Sequence, residues 1–102
     1  MEELLYDVVL HTLIGKRRGT LTAEILDGTL QGELYLLNHS ERLTGSIAAD
    51  GSCELAGVLH TLSKQIPFTA SGQICRESLK LTLHDGKNTY RLTGITATKE
   101  KQ

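Results

Sequence analysis

The sequence LTAEILDGTLQGELYL, residues 21–36, decides the fold because apolar and polar residues alternate on both sides of an Asp-Gly pair. Alternation with a period of two is typical of a half-buried β-strand, and Asp-Gly between two such runs favours a two-residue hairpin turn. This turn places Ile25 opposite Leu30. Ala23 then lies opposite Gly32 on the same face, so the hairpin has one apolar and one polar face.

The same alternation continues through most of the 102-residue chain, and no helical periodicity interrupts it. It predicts eight strands, near residues 4–14, 20–26, 29–37, 42–49, 53–61, 66–75, 78–84 and 88–97. Short connections separate them, including a basic turn at 15–19 and a polar turn at 38–41. Because such connections join only antiparallel neighbours, the strand order should follow the chain as an up-and-down meander.

Two further turns extend the registers. A three-residue loop at 50–52 predicts Gly45 opposite Gly57, and a two-residue turn at 76–77 predicts Gly72 opposite Leu81. All the turns agree on one inner face, made of Leu21, Ala23, Ile25, Leu30, Leu34, Leu36, Leu43, Ile47, Leu55, Leu59, Phe68, Ala70, Ile74, Leu79, Leu81, Leu83, Tyr90 and Leu92. The other face is largely polar.

Five glycines interrupt these strands on the inner face: Gly32, Gly45, Gly57, Gly72 and Gly94. Glycine weakens a strand, so its repetition indicates a sharply curved sheet. We therefore predict an all-β fold, an eight-stranded antiparallel up-and-down meander closing into a small barrel, with a β-sandwich as the alternative. The meander resembles lipocalin-like and avidin-like barrels in architecture alone, because the chain has no tryptophan and so none of their tryptophan motifs.

The sequence predicts a single domain at residues 1–97 and a polar tail at 98–102. The first strand is apolar on both faces, and the five-residue turn after it leaves two registers open. Either the even positions, such as Val8 and Leu10, or the odd positions, such as Val9, point inward. We expect something to cover the outer face of this strand.

Composition excludes several classes of function. A net charge of -1 and an aromatic content of 4% predict neither nucleic-acid nor membrane binding. The acidic first residues lack the features of a signal peptide, which predicts a cytoplasmic location. Cys53 should face inward and Cys75 outward, and since opposite faces do not suit a disulfide, two free thiols are expected.

No pattern of catalytic residues, metal ligands or cofactor-binding loops is present, so the sequence does not indicate an enzyme. The four histidines are scattered. Inward carboxylates are not evident either, because Asp27, Asp50 and Asp85 occupy turns.

Two functions remain. The first is a non-catalytic interaction or assembly module that self-associates as a homodimer, through an outward apolar surface of Tyr35, Leu37, Ala56, Val58, Val9 and Leu13. The predicted registers place Tyr35 and Val58 on either side of Thr44. The alternative is a carrier or sensor that binds a small hydrophobic ligand inside the barrel, lined by Phe68, Tyr90, Leu34 and Leu59.

Overall fold

The computed structural model describes residues 2–12, 15–36, 39–60 and 65–97 of the chain. Its strands are β1 (Glu2–Thr12), β2 (Gly15–Leu26), β3 (Thr29–Leu36), β4 (His39–Ile47), β5 (Ser52–His60), β6 (Gln65–Ile74), β7 (Ser78–His84) and β8 (Thr89–Thr96). Each strand pairs antiparallel with the next, and β8 pairs with β1. The predicted meander and its closure into a barrel are thus confirmed, and the alternative sandwich is not formed.

The hairpin that decides the fold has the predicted geometry. Asp27 and Gly28 both have positive φ, 53° and 79°, as a two-residue type I′ turn requires. Ile25 pairs with Leu30. The predicted register of the β6–β7 hairpin is also confirmed, since Gly72 pairs with Leu81.

The β4–β5 hairpin corrects a prediction. Its three-residue loop begins one residue earlier than predicted, at 49–51, because the Ala48 amide donates to the Ser52 carbonyl at 2.8 Å and Ile47 pairs with Cys53. Gly45 therefore pairs with Leu55, and the predicted pairing of Gly45 with Gly57 is wrong. The register slips by two residues in total, which keeps every side chain on its predicted face.

The basic run at residues 16–18 was assigned to a turn, and this prediction is also wrong. β2 begins at Gly15, and Arg17 pairs with Leu10 inside a ladder between β1 and β2. Gly19 does not adopt a positive φ and pairs with both Val8 and Leu36, so it continues the strand and does not close a turn. Three cationic residues are consequently held at fixed positions on the barrel wall.

The structure also decides the register of β1. Tyr6 and Val8 are 0% and 1% exposed, and Leu4 and Leu10 pack partly buried against the same core. The even positions therefore face inward. Val9 lies on the outer face and is half-buried.

The interior is an aliphatic core supplied by every strand. Of the predicted inner residues whose side chains are described, all are buried except Ile25, Ile47 and Tyr90, which are partly buried. Gly45 illustrates why glycine is needed on this face, because a Cβ there would overlap the Glu54 carbonyl oxygen of the neighbouring strand. The strands cross so closely that no side chain fits at this point.

Candidate functional site

One end of the barrel opens through an apolar depression, which we call the mouth. Leu4, Ile25, Ile47 and Ile74 are the inward side chains near this end of β1, β2, β4 and β6. They line a volume of about 600 Å³ that is open to solvent. Mouths of β-barrels are among the usual positions of small-molecule sites, so the mouth is the candidate functional site.

Backbone hydrogen bonds fix the rim of the mouth. The Gly28 carbonyl in the β2–β3 turn accepts from the Ile47 amide at 2.9 Å. In the β4–β5 connection, the Gly51 carbonyl accepts from the Ile74 amide at 2.9 Å. Each of these turns is thereby tied to a neighbouring strand. The mouth is preformed, which lowers the entropy cost of binding there.

Polar groups adjoin the aliphatic side chains, and the charged residues Asp50 and Arg76 belong to the lining of the mouth. Tyr6 is fully buried below the mouth and donates its hydroxyl hydrogen to the Cys75 carbonyl on the rim. Asp50 lies on the rim, where the Ser52 amide donates to its Oδ1 at 2.9 Å. This hydrogen bond, together with one from the Ser52 hydroxyl, lowers the pKa of Asp50 below its usual value. The rim therefore carries a carboxylate anion at neutral pH.

The two cysteines differ in accessibility, and both are free. Cys75 is exposed and lines the mouth, whereas Cys53 is buried in the core. Burial raises the pKa of the Cys53 thiol by desolvation, which disfavours its reactive thiolate. Cys75 is thus a natural reporter of whether the mouth is occupied.

Two of the four residues predicted to line an internal ligand site, Leu34 and Phe68, belong to the core. Leu34 and Phe68 are 1% and 4% exposed. Phe68 pairs with Gly57, and its ring covers the space that a Gly57 side chain would take. Tyr90 is partly buried at the opposite end of the barrel, and the side chain of Leu59 lies outside the described residues.

The opposite end contains a carboxylate that sequence reasoning missed. Glu41 is 4% exposed, although it was placed in a polar turn and inward carboxylates were not expected. It belongs to β4 and has the same parity as buried Leu43, which is the signal that could have identified it. At the same end, the Tyr90 hydroxyl hydrogen-bonds the Asp85 carboxylate. The described inward residues at this end therefore include polar groups as well as aliphatic ones.

The predicted interface residues are not brought together as expected. Thr44 pairs with Gln31 and Ala56, so it does not separate Tyr35 from Val58. Tyr35 is 48% exposed, Ala56 is exposed, and Val9 and Val58 are half-buried. Leu13 and Leu37 lie outside the described residues. The most exposed large apolar side chain is one that the prediction omitted, Ile95 at 65%.

Comparisons with known proteins give no assignment: no protein-family model matches the chain, and neither a curated protein nor a solved structure matches it. Within the described residues, no three His, Cys, Asp or Glu side chains are grouped so that they could hold a metal ion. The described part of the chain also has no helix of the length and apolar character needed to cross a membrane. Any functional proposal therefore depends on the geometry of the barrel itself.

Proposed function

We propose that this protein is a non-catalytic binding protein that takes the aliphatic part of a small molecule into the mouth of the barrel. The observation that carries the proposal is the preformed depression of about 600 Å³ lined by Leu4, Ile25, Ile47 and Ile74. Its volume falls within the roughly 300–1,000 Å³ of small-molecule sites. The core below it is filled, which favours binding at the mouth over binding deep inside.

The lining determines what kind of ligand is favoured. An aliphatic lining binds more tightly the ligands that bury more apolar surface, and it discriminates little between ligand shapes. Each methylene buried contributes about 0.8 kcal/mol, or about fourfold in affinity. The ligand's polar group is expected to remain at the rim, near the backbone of the turns and Asp50. Chain length should therefore affect binding more than headgroup chemistry.

A dye-displacement experiment tests this proposal. The apolar dye N-phenyl-1-naphthylamine is titrated into the protein and then displaced with linear alkanols of increasing length. We expect affinity to rise about fourfold per methylene until the mouth is full. Ile47→Asn should weaken dye binding about tenfold, because it places an amide in the aliphatic lining. Ile95→Asn is the matched control on the outer wall and should leave binding unchanged.

The Cys75 thiol provides a second readout that locates the bound dye. N-ethylmaleimide should modify one thiol per native chain, at Cys75, and saturating dye should slow this reaction. Loss of dye binding in both isoleucine variants, or an unchanged alkylation rate with dye bound, would contradict binding at the mouth. Thermal unfolding of each variant verifies that it remains folded.

We also propose that the protein self-associates as a homodimer and resides in the cytoplasm. Exposed apolar side chains on the barrel wall, Ile95 above all, support self-association. Two unpaired cysteines support a reducing compartment. A monomeric mass at high protein concentration would contradict the homodimer. A fluorescent fusion of the protein found outside the cytoplasm would contradict the cytoplasmic location.

A further inference from the structure

The outer wall formed by β8, β1 and β2 has an uneven charge distribution, and we call it the β1 face. Its upper half is the end near residue 11 of β1. There, one row of paired residues runs from Arg91 through His11 to Lys16. Arg18 lies one row below, paired with Val9. This half has four basic groups and no carboxylate among these rows.

The lower half of the same face is acidic. Glu3 on β1 and Glu24 on β2 are direct cross-strand partners, and both side chains are exposed. Like charges placed opposite each other on a sheet destabilise it. Asp27, in the adjoining turn, adds a third exposed carboxylate. Among the described residues, the lower half of the β1 face therefore presents three carboxylates, to which a basic surface is complementary.

Apolar side chains lie between the two halves. Leu5 and Val9 are outward residues of β1 and are half-buried. Ile95 of β8 pairs with Asp7 of β1 and is 65% exposed. Asp7, which is exposed, and Thr20 lie in the same central row, so from bottom to top the β1 face is acidic, then mixed with three apolar side chains, then basic. Apolar side chains with charged surroundings are common in protein–protein interfaces.

This order makes the face complementary to itself. A two-fold axis that lies in the interface and runs across the strands turns the second copy end over end. The acidic half of each copy then meets the basic half of the other, while the central rows with Leu5, Val9 and Ile95 meet each other. We infer that the β1 face is the surface through which two copies of this chain pair, an inference that depends on the proposed self-association and names its surface.

The size and charge of the face set the expected behaviour. Three strands at about 4.8 Å spacing and a β1 of 11 residues give a face of about 500 Å² per copy, at the small end for protein interfaces. We expect a micromolar dimer that weakens as salt is added, since screening acts strongly on exposed charges. Because monomer and dimer exchange reversibly, the subunits of two variants can pair with each other when the variants are mixed.

Charge reversal with mixing is the decisive experiment. Lys16→Glu/Arg18→Glu makes both halves of the face acidic, and Glu3→Lys/Glu24→Lys makes both halves basic. Each variant alone should sediment as a monomer at about 100 µM and low salt, where the unaltered chain dimerises. An equimolar mixture should restore a dimer, because an acidic face now meets a basic face at both ends. Dimers formed by either variant alone, or no dimer in the mixture, would overturn the inference.

A matched control separates this surface from net charge. Glu33→Lys/Glu54→Lys makes the same change in charge as Glu3→Lys/Glu24→Lys, but on the outer faces of β3 and β5. It should dimerise like the unaltered chain. If the unaltered chain is monomeric at about 500 µM, self-association itself fails. If the chain dimerises and the charge variants do too, only the assignment of the β1 face fails.

Two single neutralisations sharpen the test. Asp7 lies near the axis, where it meets its own counterpart, so Asp7→Asn should strengthen the dimer about two- to fivefold. Glu24→Gln should weaken it by a similar factor, because Glu24 faces basic groups of the second copy. Both variants remove one negative charge. A change in the same direction for both would contradict the proposed pairing.

Discussion

The two ends of the barrel are formed by the same eight strands but carry different side chains. At the mouth, the last inward side chains are aliphatic, and turns bonded through their backbones surround an open depression. At the opposite end, a buried carboxylate, Glu41, lies among the last inward residues, and Tyr90 is hydrogen-bonded to Asp85. At the mouth, a ligand with an aliphatic part therefore meets a complementary lining of Leu4, Ile25, Ile47 and Ile74.

This contrast shows how a uniform meander acquires a direction. The strand pairs have the same alternation throughout, so the wall alone does not distinguish one end from the other. The identity of the final inward residue on each strand, and the way each turn is bonded, makes the difference. Pairs of matched residues, one at each end, allow the contrast to be tested.

The largest effect is expected at glycine. Gly45→Ala, near the mouth, would force a Cβ against the Glu54 carbonyl oxygen and the Leu55 Cα of the next strand. We expect a loss of more than about 4 kcal/mol in the free energy of unfolding, measured with urea. Gly86→Ala, in the turn at the opposite end, meets nothing within 4 Å and bears only the strain of its positive φ, about 1–3 kcal/mol. Equal losses would show that the close strand crossing near the mouth is not a constraint.

A smaller effect is expected at the two tyrosines. Tyr6→Phe removes the hydroxyl that donates to the Cys75 carbonyl from a fully buried position, and should cost about 1–3 kcal/mol. Tyr90→Phe should cost less, because its acceptor, Asp85, is accessible to water. Urea unfolding of both variants measures the difference. A larger cost for Tyr90→Phe would contradict the expectation that the buried Tyr6 hydroxyl contributes more to stability.

The smallest effect concerns the two turn aspartates. Hydrogen bonds from Ser52 lower the pKa of Asp50, and those from the Asn88 and Lys87 amides and Tyr90 lower the pKa of Asp85. Because both pKa values are lower in the folded state than the ordinary 3.8, each ionised carboxylate stabilises the fold above that pH. This stability is lost as the pH falls through the folded-state pKa.

Asp50→Asn and Asp85→Asn should each lower the melting temperature slightly at neutral pH and leave the value in acid nearly unchanged, so that the fall between neutral pH and acid is flatter. Thermal melts across this pH range supply the measurement. We expect the greater flattening for Asp85→Asn, because more donors hold its carboxylate. A steeper fall in melting temperature toward acid pH in either variant would mean that the turn does not stabilise the ionised carboxylate.

Much of the fold could be predicted from local chemistry. The Asp-Gly pair at 27–28 fixed its hairpin register, and alternation assigned nearly all inner residues correctly. The prediction failed where turn composition was ambiguous. Residues 16–18 are polar enough for a turn, yet they continue β2 because β1 offers a complete ladder of partners. Glu41 was missed because a charged residue is rarely expected to face inward.

The candidate site was less predictable than the fold. Ile25, Ile47 and Ile74 were placed on the inner face, but nothing in the sequence said that they end at one depression. The sequence left two registers of β1 open and so did not show that Tyr6 faces inward. The Tyr6 hydroxyl donates to the carbonyl of Cys75, which is 69 residues away in the chain. Such contacts depend on how far neighbouring strands are staggered around the barrel, which only closure of β8 on β1 determines.

The sequence by itself determined that each strand has one apolar face, because side chains alternate strictly and burial rewards apolar area. It also determined that strand neighbours follow chain order, because the connections are short. The tertiary structure alone decided which residues of distant strands lie together. Closure brings distant aliphatic residues to one mouth and sets Arg91 and Ile95 of β8 beside β1, since both arrangements require neighbours far apart in the chain.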